Sequence, residues 1–294
     1  MKASIIITTY NRPEFLKRAI LSCISQKTSY KFEIIVADDN GINTAAQIET
    51  AAVVSKYDDI KYLPLEKNSG ACIARNEGSE MAVGEYLFFL DDDDEYLQDK
   101  LQIQIDFLEN NKDYDGSLAA FKRLDEKGSE ILSATNFPVA GDFKKFVLEG
   151  NFFTPMICIR KKSFIKSGGF IDIPRFQDRF YMMSMLKQDF KFGVLPVQLH
   201  VMYEHSADRI TSKSLEKTKN ALSQIMNWLN TYKPLFTNQE WEKIEIDSLK
   251  KVAISYYNSS SKKERRKATK LYWDIFRKTF VFSDFILMIK SLVK

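Results

Sequence analysis

Phe88-Phe89-Leu90-Asp91-Asp92-Asp93-Asp94-Glu95-Tyr96 is the stretch on which the fold turns: an apolar run that stops abruptly in four aspartates. A continuous apolar run without alternation, here opening at Tyr86, is the pattern of a strand buried on both faces. Adjacent carboxylates at its end repel one another, so the cluster is costly unless positive charge lies against it. A divalent cation is one natural occupant, and hard oxygen ligands suit Mg²⁺ or Mn²⁺ bridging a carboxylate and substrate phosphates. The same run also reads as the acidic, solvated start of a helix, because carboxylates favour helix N-termini.

Outward from this stretch the rhythm repeats. Residues 4–7 form a buried-strand pattern ending in Thr8, Thr9, Tyr10 and Asn11, and Pro13 suits the first turn of a helix reaching about Gln26. Residues 33–37 form a second strand ending in Asp38, Asp39 and Asn40, followed by a helical stretch. A third strand spans residues 60–65 and a third helix residues 71–83. Alternating strands and helices predict an α/β fold with a mostly parallel sheet flanked by helices. Ligands bind beyond the carboxyl ends of such strands, and three of these four strands discharge polar or acidic residues at that edge.

After about Glu109 the alternation breaks, with a strand at residues 117–124, a glycine turn at 167–170 and a helix at 178–186. From about Leu215 the pattern is helical throughout. The boundary is placed near Lys213, giving units at 1–213 and 214–294.

The quoted segments, in this order, resemble family 2 glycosyltransferases over residues 3 to 212. The matches are Ile5-Ile6-Ile7-Thr8-Thr9-Tyr10-Asn11-Arg12, Val36-Ala37-Asp38-Asp39-Asn40, Asn68-Ser69-Gly70 with Ala74-Arg75-Asn76, and the Asp91 to Asp94 run. The resemblance implies a GT-A (Rossmann-like) fold and metal-dependent, inverting, hexosyltransferase-type transfer from a nucleotide-sugar donor, with UDP as the nucleotide. It implies that Thr8, Tyr10, Arg12, Asp39, Arg75, Asp91 and Asp92 contact the donor, Tyr10 by stacking and Asp39 by accepting from the pyrimidine N–H. Asp91 and Asp92 fall on the ribose side and Asp93 on the metal, although the run here carries an extra acid relative to the family's Asp-x-Asp-Asp. Gly168-Gly169-Phe170 and Gln177-Asp178 are similar to the family's glycine turn and Glu-Asp helix start, with Gln177 in place of the glutamate. Asp178 is then the general base, since an acceptor hydroxyl must lose its proton as it attacks. His205 lies where many GT-A enzymes place a histidine on the metal.

Each assignment has a plainer counterpart. Thr8 and Thr9 also suit a strand interior, Tyr10 a core, Asp39-Asn40-Gly41 a turn, Arg75 a surface ion pair and Asp178 a helix cap. A catalytically silent nucleotide-sugar binder or scaffold is the alternative function that Gln177 leaves open. The chain lacks a P-loop, which excludes that class of nucleotidase.

The 294 residues carry a formal net charge of +4. Residues 262–294 hold ten Lys/Arg against three Asp/Glu, a net of +7, so the remainder sums to −3. Lys262, Lys263, Arg265, Arg266 and Lys267 precede Phe282, Phe285, Ile286, Ile289, Leu292 and Val293 at helix spacing, with Ser283 placed to cap the turn. Such a tail lies on an anionic membrane surface or is a packing or dimerising helix with a solvated basic face. A saccharide or lipid-linked saccharide acceptor, in cell-surface polysaccharide or glycolipid synthesis, and homo-oligomerisation are the partners to expect. The acidic body argues against nucleic acid. Cys23, Cys72 and Cys158 show no CxxC spacing, and no charged-then-apolar leader opens the chain, so the expected location is cytoplasmic, at the inner face of the plasma membrane if the tail binds it.

Overall fold

Unbroken apolar runs become the centre of a sheet in the computed structural model, which describes residues 1–204, 214–259, 261–279 and 281–293. The parallel strands β1 (Ala3–Thr9), β2 (Phe32–Asp38), β3 (Ile60–Pro64) and β4 (Tyr86–Asp91) are linked by α1 (Pro13–Ile24), α2 (Ala45–Val54) and α3 (Ala71–Met81). All seven residues of β1 are buried. Each fully enclosed isoleucine there contributes roughly 1.5–3 kcal/mol of apolar burial. Pro13 occupies the first turn of α1, where its missing N–H costs nothing. Thr44 caps α2 by accepting from the Gln47 N–H at 3.1 Å. Gly78 lets α3 approach β1, since a Cβ there would meet Ile6 Cγ2 at 2.7 Å.

The second half of the sheet breaks the parallel pattern. Beyond β4 come β5 (Glu95–Tyr96), α4 (Lys100–Asn110), β6 (Gly116–Leu124), α5 (Phe143–Glu149), β7 (Ile157–Arg160), α6 (Lys161–Ser167), α7 (Gln177–Lys187) and β8 (Phe192–Tyr203). The order across the sheet is β3-β2-β1-β4-β7-β6-β8-β5. Here β7 runs antiparallel to both β4 and β6, β8 lies parallel to β6, and β5 pairs antiparallel with β8.

Two compact units result. The first holds Met1–Asp172 and the run from Gln177 through β8, and the second holds Ile173–Phe176 with the C-terminal helices. Those helices are α8 (Leu215–Asn230), α9 (Asn238–Tyr257), α10 (Lys262–Thr279) and α11 (Phe282–Val293). The boundary expected near Lys213 falls in residues 205–213, outside the described residues. The second unit has its own small core of Ala253, Ala268, Tyr272 and Ile275. Cys23, Cys72 and Cys158 are all buried and free.

Candidate active site

Parallel register sets the site. Thr8 lies opposite Asp91 and Thr9 opposite Asp38, so the ends of β1, β2 and β4 form one edge. Past Thr9 the chain turns through Asn11 at φ 55, a left-handed conformation that asparagine tolerates. The Asn11 N–H donates to Asn40 Oδ1 at 2.7 Å, and Asn40 is itself held by Asp38 Oδ1 at 2.6 Å. Tyr62 donates to the other Asp38 oxygen at 2.6 Å. Tyr10 stands at the exposed tip, 38% accessible, and is not part of the core.

Asp39 accepts from the backbone N–H groups of Ser69 at 2.6 Å and Gly70 at 2.9 Å, with Gly70 at φ 92. Burial raises its carboxyl above the usual range, and these two donors pull it back. A carboxylate has about four lone-pair sites, so capacity for a further donor remains.

Countercharge for the acidic run comes from arginines. Arg75 of α3 donates to Asp91 Oδ1 at 2.6 Å, and its Nη1 stands 4.0 Å from Asp178 Oδ1. Although burial works against its charge, Asp91 and then Asp178 hold its pKa above the ordinary arginine value. Its Nε and Nη1 are buried with no hydrogen-bond acceptor among the described residues. Arg12 reaches Asp92 Oδ1 at 2.9 Å and Asp93 Oδ2 at 2.5 Å. Arg18, which the sequence reading passed over, donates to the Asp93 carbonyl at 2.7 Å and forms an ion pair with Glu95 at 3.0 Å, with its guanidinium 3.8 Å from the Tyr203 ring. Asp91, Asp92 and Asp93 are therefore compensated by arginines of the chain itself, and Asp91 and Asp92 also accept from Thr8 and Thr9 at the end of β1.

The run does not present its carboxylates alike. Asp91 and Asp93 keep side-chain exposures of 33% and 20%, but Asp92 is 1% exposed. Asp92 Oδ2 accepts from Thr9 Oγ1 at 2.8 Å. Burial pushes Asp92 up to about 7, against Arg12, with Asp93 adding to the rise. Asp92, expected on the ribose side, follows the end of β4 at Asp91 and is turned inward, where it accepts from Thr9 and pairs with Arg12. Arg12, expected at the donor, pairs its guanidinium with Asp92 and Asp93.

Asp178 lies in the first turn of α7 and accepts from Thr154 Oγ1 at 2.5 Å. Burial raises its carboxyl, Arg75 opposes the rise, and Asp91 adds to it. A basic carboxylate close to the strand edge can take a proton from a hydroxyl. The glycine turn before it is pinned to α3: Asn76 Nδ2 donates to the Phe170 carbonyl at 2.8 Å, and the Phe170 N–H donates to Asn76 Oδ1 at 2.9 Å. His205 lies outside the described residues.

For a divalent ion, the donor set is hard oxygen. No trio of His, Cys, Asp and Glu gathers into a cage among the described residues. The part-exposed carboxylates of Asp91 and Asp93 are the oxygens that could join phosphates around Mg²⁺ or Mn²⁺.

Comparison with known proteins follows the same outline. The glycosyl transferase family 2 profile matches residues 4–172. An uncharacterised glycosyltransferase of Haemophilus influenzae is 31% identical over 226 residues, covering 74% of this chain and 84% of that protein. The poly(ribitol-phosphate) β-N-acetylglucosaminyltransferase TarP of Staphylococcus aureus is 29% identical over 262 residues, 81% of this chain and 75% of TarP. The crystal structure of S. aureus TarS residues 1–349 with UDP-GlcNAc superposes with a TM-score of 0.62 at 18% identity, over 94% of this chain and 90% of that one. At that identity the likeness is one of fold. Matches to Rickettsia glycosyltransferases reach only 21% of those proteins' length.

Proposed function

Because the chain belongs to glycosyl transferase family 2, we propose that it transfers a hexose from a UDP-sugar to an acceptor hydroxyl, with inversion at the anomeric carbon. One observation carries the reading: the single guanidinium of Arg75 lies between Asp91 at 2.6 Å and Asp178 at 4.0 Å, so the strand-end acids and the helix-start carboxylate share one pocket.

In this reading Asp39 accepts from the base N–H and Tyr10 stacks on the base, with Thr8 beside them. Asp91 lies toward the ribose. The two buried donors of Arg75 turn to the diphosphate, where developing charge is met by a preset cation. Asp178 takes the acceptor proton while the oxygen attacks C1 from the face opposite the departing UDP. Thr154 and Arg75 hold that carboxylate in place, so little reorganisation is left for the reaction itself. Asp93 would hold a divalent ion together with diphosphate oxygens, and the ion would offset charge on the leaving group.

A UDP-sugar donor is favoured by the TarS complex with UDP-GlcNAc. The TarP acceptor and the putatively teichuronic acid-directed TuaG of Bacillus subtilis favour a cell-surface polymer or its lipid-linked precursor as acceptor class. Gln177, in the family's glutamate position, is the one feature that favours a silent binder.

The deciding experiment measures UDP release from a panel of UDP-sugars with Mn²⁺ and with chelator, for the wild type and Asp178→Asn. The proposal requires release by the wild type that the variant loses. Equal, background release from both would establish the silent binder.

A further inference from the structure

The last two helices pose a separate question from the active site. α10 packs one face on α9 through Ala268, Tyr272 and Ile275, which form the core of this unit with Ala253. That burial consumes its interior stripe and leaves the opposite one outward. Along that outward stripe lie Arg266, Lys270, Trp273 and Arg277, spaced four, three and four residues apart and all exposed. Lys263, Lys267 and Lys278 flank it, also exposed.

Apolar side chains adjoin these cations. Trp273 is 42% exposed and touches Phe276, with centroids 5.9 Å apart, and Phe276 meets Phe285 of α11 at 5.1 Å. Beyond this seam Val281, Ile286 and Ile289 are 44%, 38% and 44% exposed, with Lys290 exposed beside them. Leu287 and Met288 turn the other way, against the unit's core. The α10–α11 pair is therefore anchored on one side and presents tryptophan, isoleucines and a row of cations on the other.

We propose that this outward face of α10 and α11 lies on the surface of a bilayer containing anionic phospholipid. Cations meet the headgroups, Trp273 sits at the interface, and the isoleucines enter the acyl boundary. Among the described residues no helix is long and apolar enough to cross a membrane, so the helices lie on the bilayer. Charge decides against the other occupants. Two copies meeting through this face would oppose the net +7 of residues 262–294 to itself. A nucleic acid backbone would satisfy the cations yet leave Val281, Ile286 and Ile289 in water.

The test uses the full chain, sedimented with vesicles of phosphatidylcholine alone and of phosphatidylcholine with phosphatidylglycerol. Wild type is expected to sediment with the anionic vesicles only, less so as salt rises and screens the contact. Arg266→Glu/Lys270→Glu/Arg277→Glu should lower the partition coefficient roughly a hundredfold, given the usual weight of each cation near a charged bilayer. Trp273→Ser should lower it roughly tenfold. A blue shift of tryptophan emission on adding anionic vesicles should disappear in Trp273→Phe, which keeps the contact with Phe276. Far-UV circular dichroism and UDP release should match wild type in all three, because none of these residues lies at the strand edge.

No sedimentation of wild type above the neutral-vesicle level would overturn the proposal, as would unchanged binding by the charge-reversed chain. A mass that doubles in wild type but not in Trp273→Ser, with no vesicle binding, would assign the face to a second copy instead. Loss of UDP release with vesicle binding intact would count against the catalytic reading and leave this surface standing.

Discussion

Arg75 is the residue through which the chemistry of the pocket is set. It is buried, it binds Asp91 at 2.6 Å, and it is the largest influence opposing the upward shift of Asp178. A general base works only when ionised, so a raised carboxyl places the acid limb of kcat/KM above the ordinary aspartate value of 3.8. Removing the cation disfavours the ionised form, and Arg75→Met should therefore move that limb to still higher pH. A pH profile of UDP release reads the shift directly, and an unmoved limb would separate Asp178 from the base. Asp178→Asn should cost roughly 10²–10⁴ in kcat. Because the amide keeps the shape of the carboxylate, UDP affinity by calorimetry should stay within about twofold. Breaks in the apolar runs bring Asp39 and Asp91 to one strand edge in the sequence, whereas Arg75 and Asp178, both on helices, are placed there by the family resemblance. The sequence could not say which of four consecutive aspartates are buried, namely Asp92 and Asp94. That depends on β4 stopping at Asp91, and a homogeneous acidic run carries no mark of where a strand stops.

At the scale of elements, α3 does two jobs from adjacent positions. Arg75 faces the acidic edge, while Asn76 exchanges two hydrogen bonds with the backbone of Phe170 and so fixes the turn that leads to α7. Phe170 is 3% exposed, and Asn76→Ala would strand its N–H and C=O away from water. The expected cost is about 1–3 kcal/mol for the unpaired groups, seen as a lower midpoint in thermal unfolding. Gly169→Ala tests the same junction from the other side. Its φ is +71, and an added Cβ would lie 2.6 Å from Asn76 Oδ1, so the substitution should destabilise by about 1–3 kcal/mol and weaken UDP release with it. Elements of the first half were legible because a strand buried on both faces reads as a continuous apolar run. In the second half β6 and α7 were legible, and the remaining strands were not. β5 is two residues long and β7 four, too short for any periodicity. β8 carries Pro196 where its register with β6 skips from Leu195 to Gln198, a bulge that tolerates proline but erases the strand pattern.

Over the whole molecule, stability should follow pH in a way set by one buried cation. Lys100, at the start of α4, is fully enclosed, with its ammonium 2.6 Å from Gln104 Oε1 and 4.9 Å from the Tyr96 ring centre. Burial lowers its pKa to about 7. The unfolded chain holds that proton to about 10.5, so between these values it binds more protons than the folded state, and stability rises with pH. Four other buried groups bound the window, of which Asp92, raised to about 7 by burial, sheds its proton over the same interval and offsets a small part of the rise. His200, enclosed against Phe121, is held well below 6.5 by burial and then by Lys100, so its own contribution also rises with pH but is complete by about pH 7. Burial raises Cys23 to about 12 and also raises Cys158, and these thiols stay protonated in the fold while the unfolded ones ionise near 9. They reverse the trend above that point. From pH 7 to 8.5 the wild type should therefore gain about 1–2 kcal/mol in denaturant unfolding, from roughly 1.4 kcal/mol per unit of pH at full proton difference. Lys100→Met keeps the volume and the contact with the Tyr96 and Phe88 rings but carries no proton. Its unfolding free energy should be higher than that of wild type at pH 7 and, with Asp92 and the buried thiols left, level or slightly falling across the same interval; a rise that persists in the variant would move the linkage to another group.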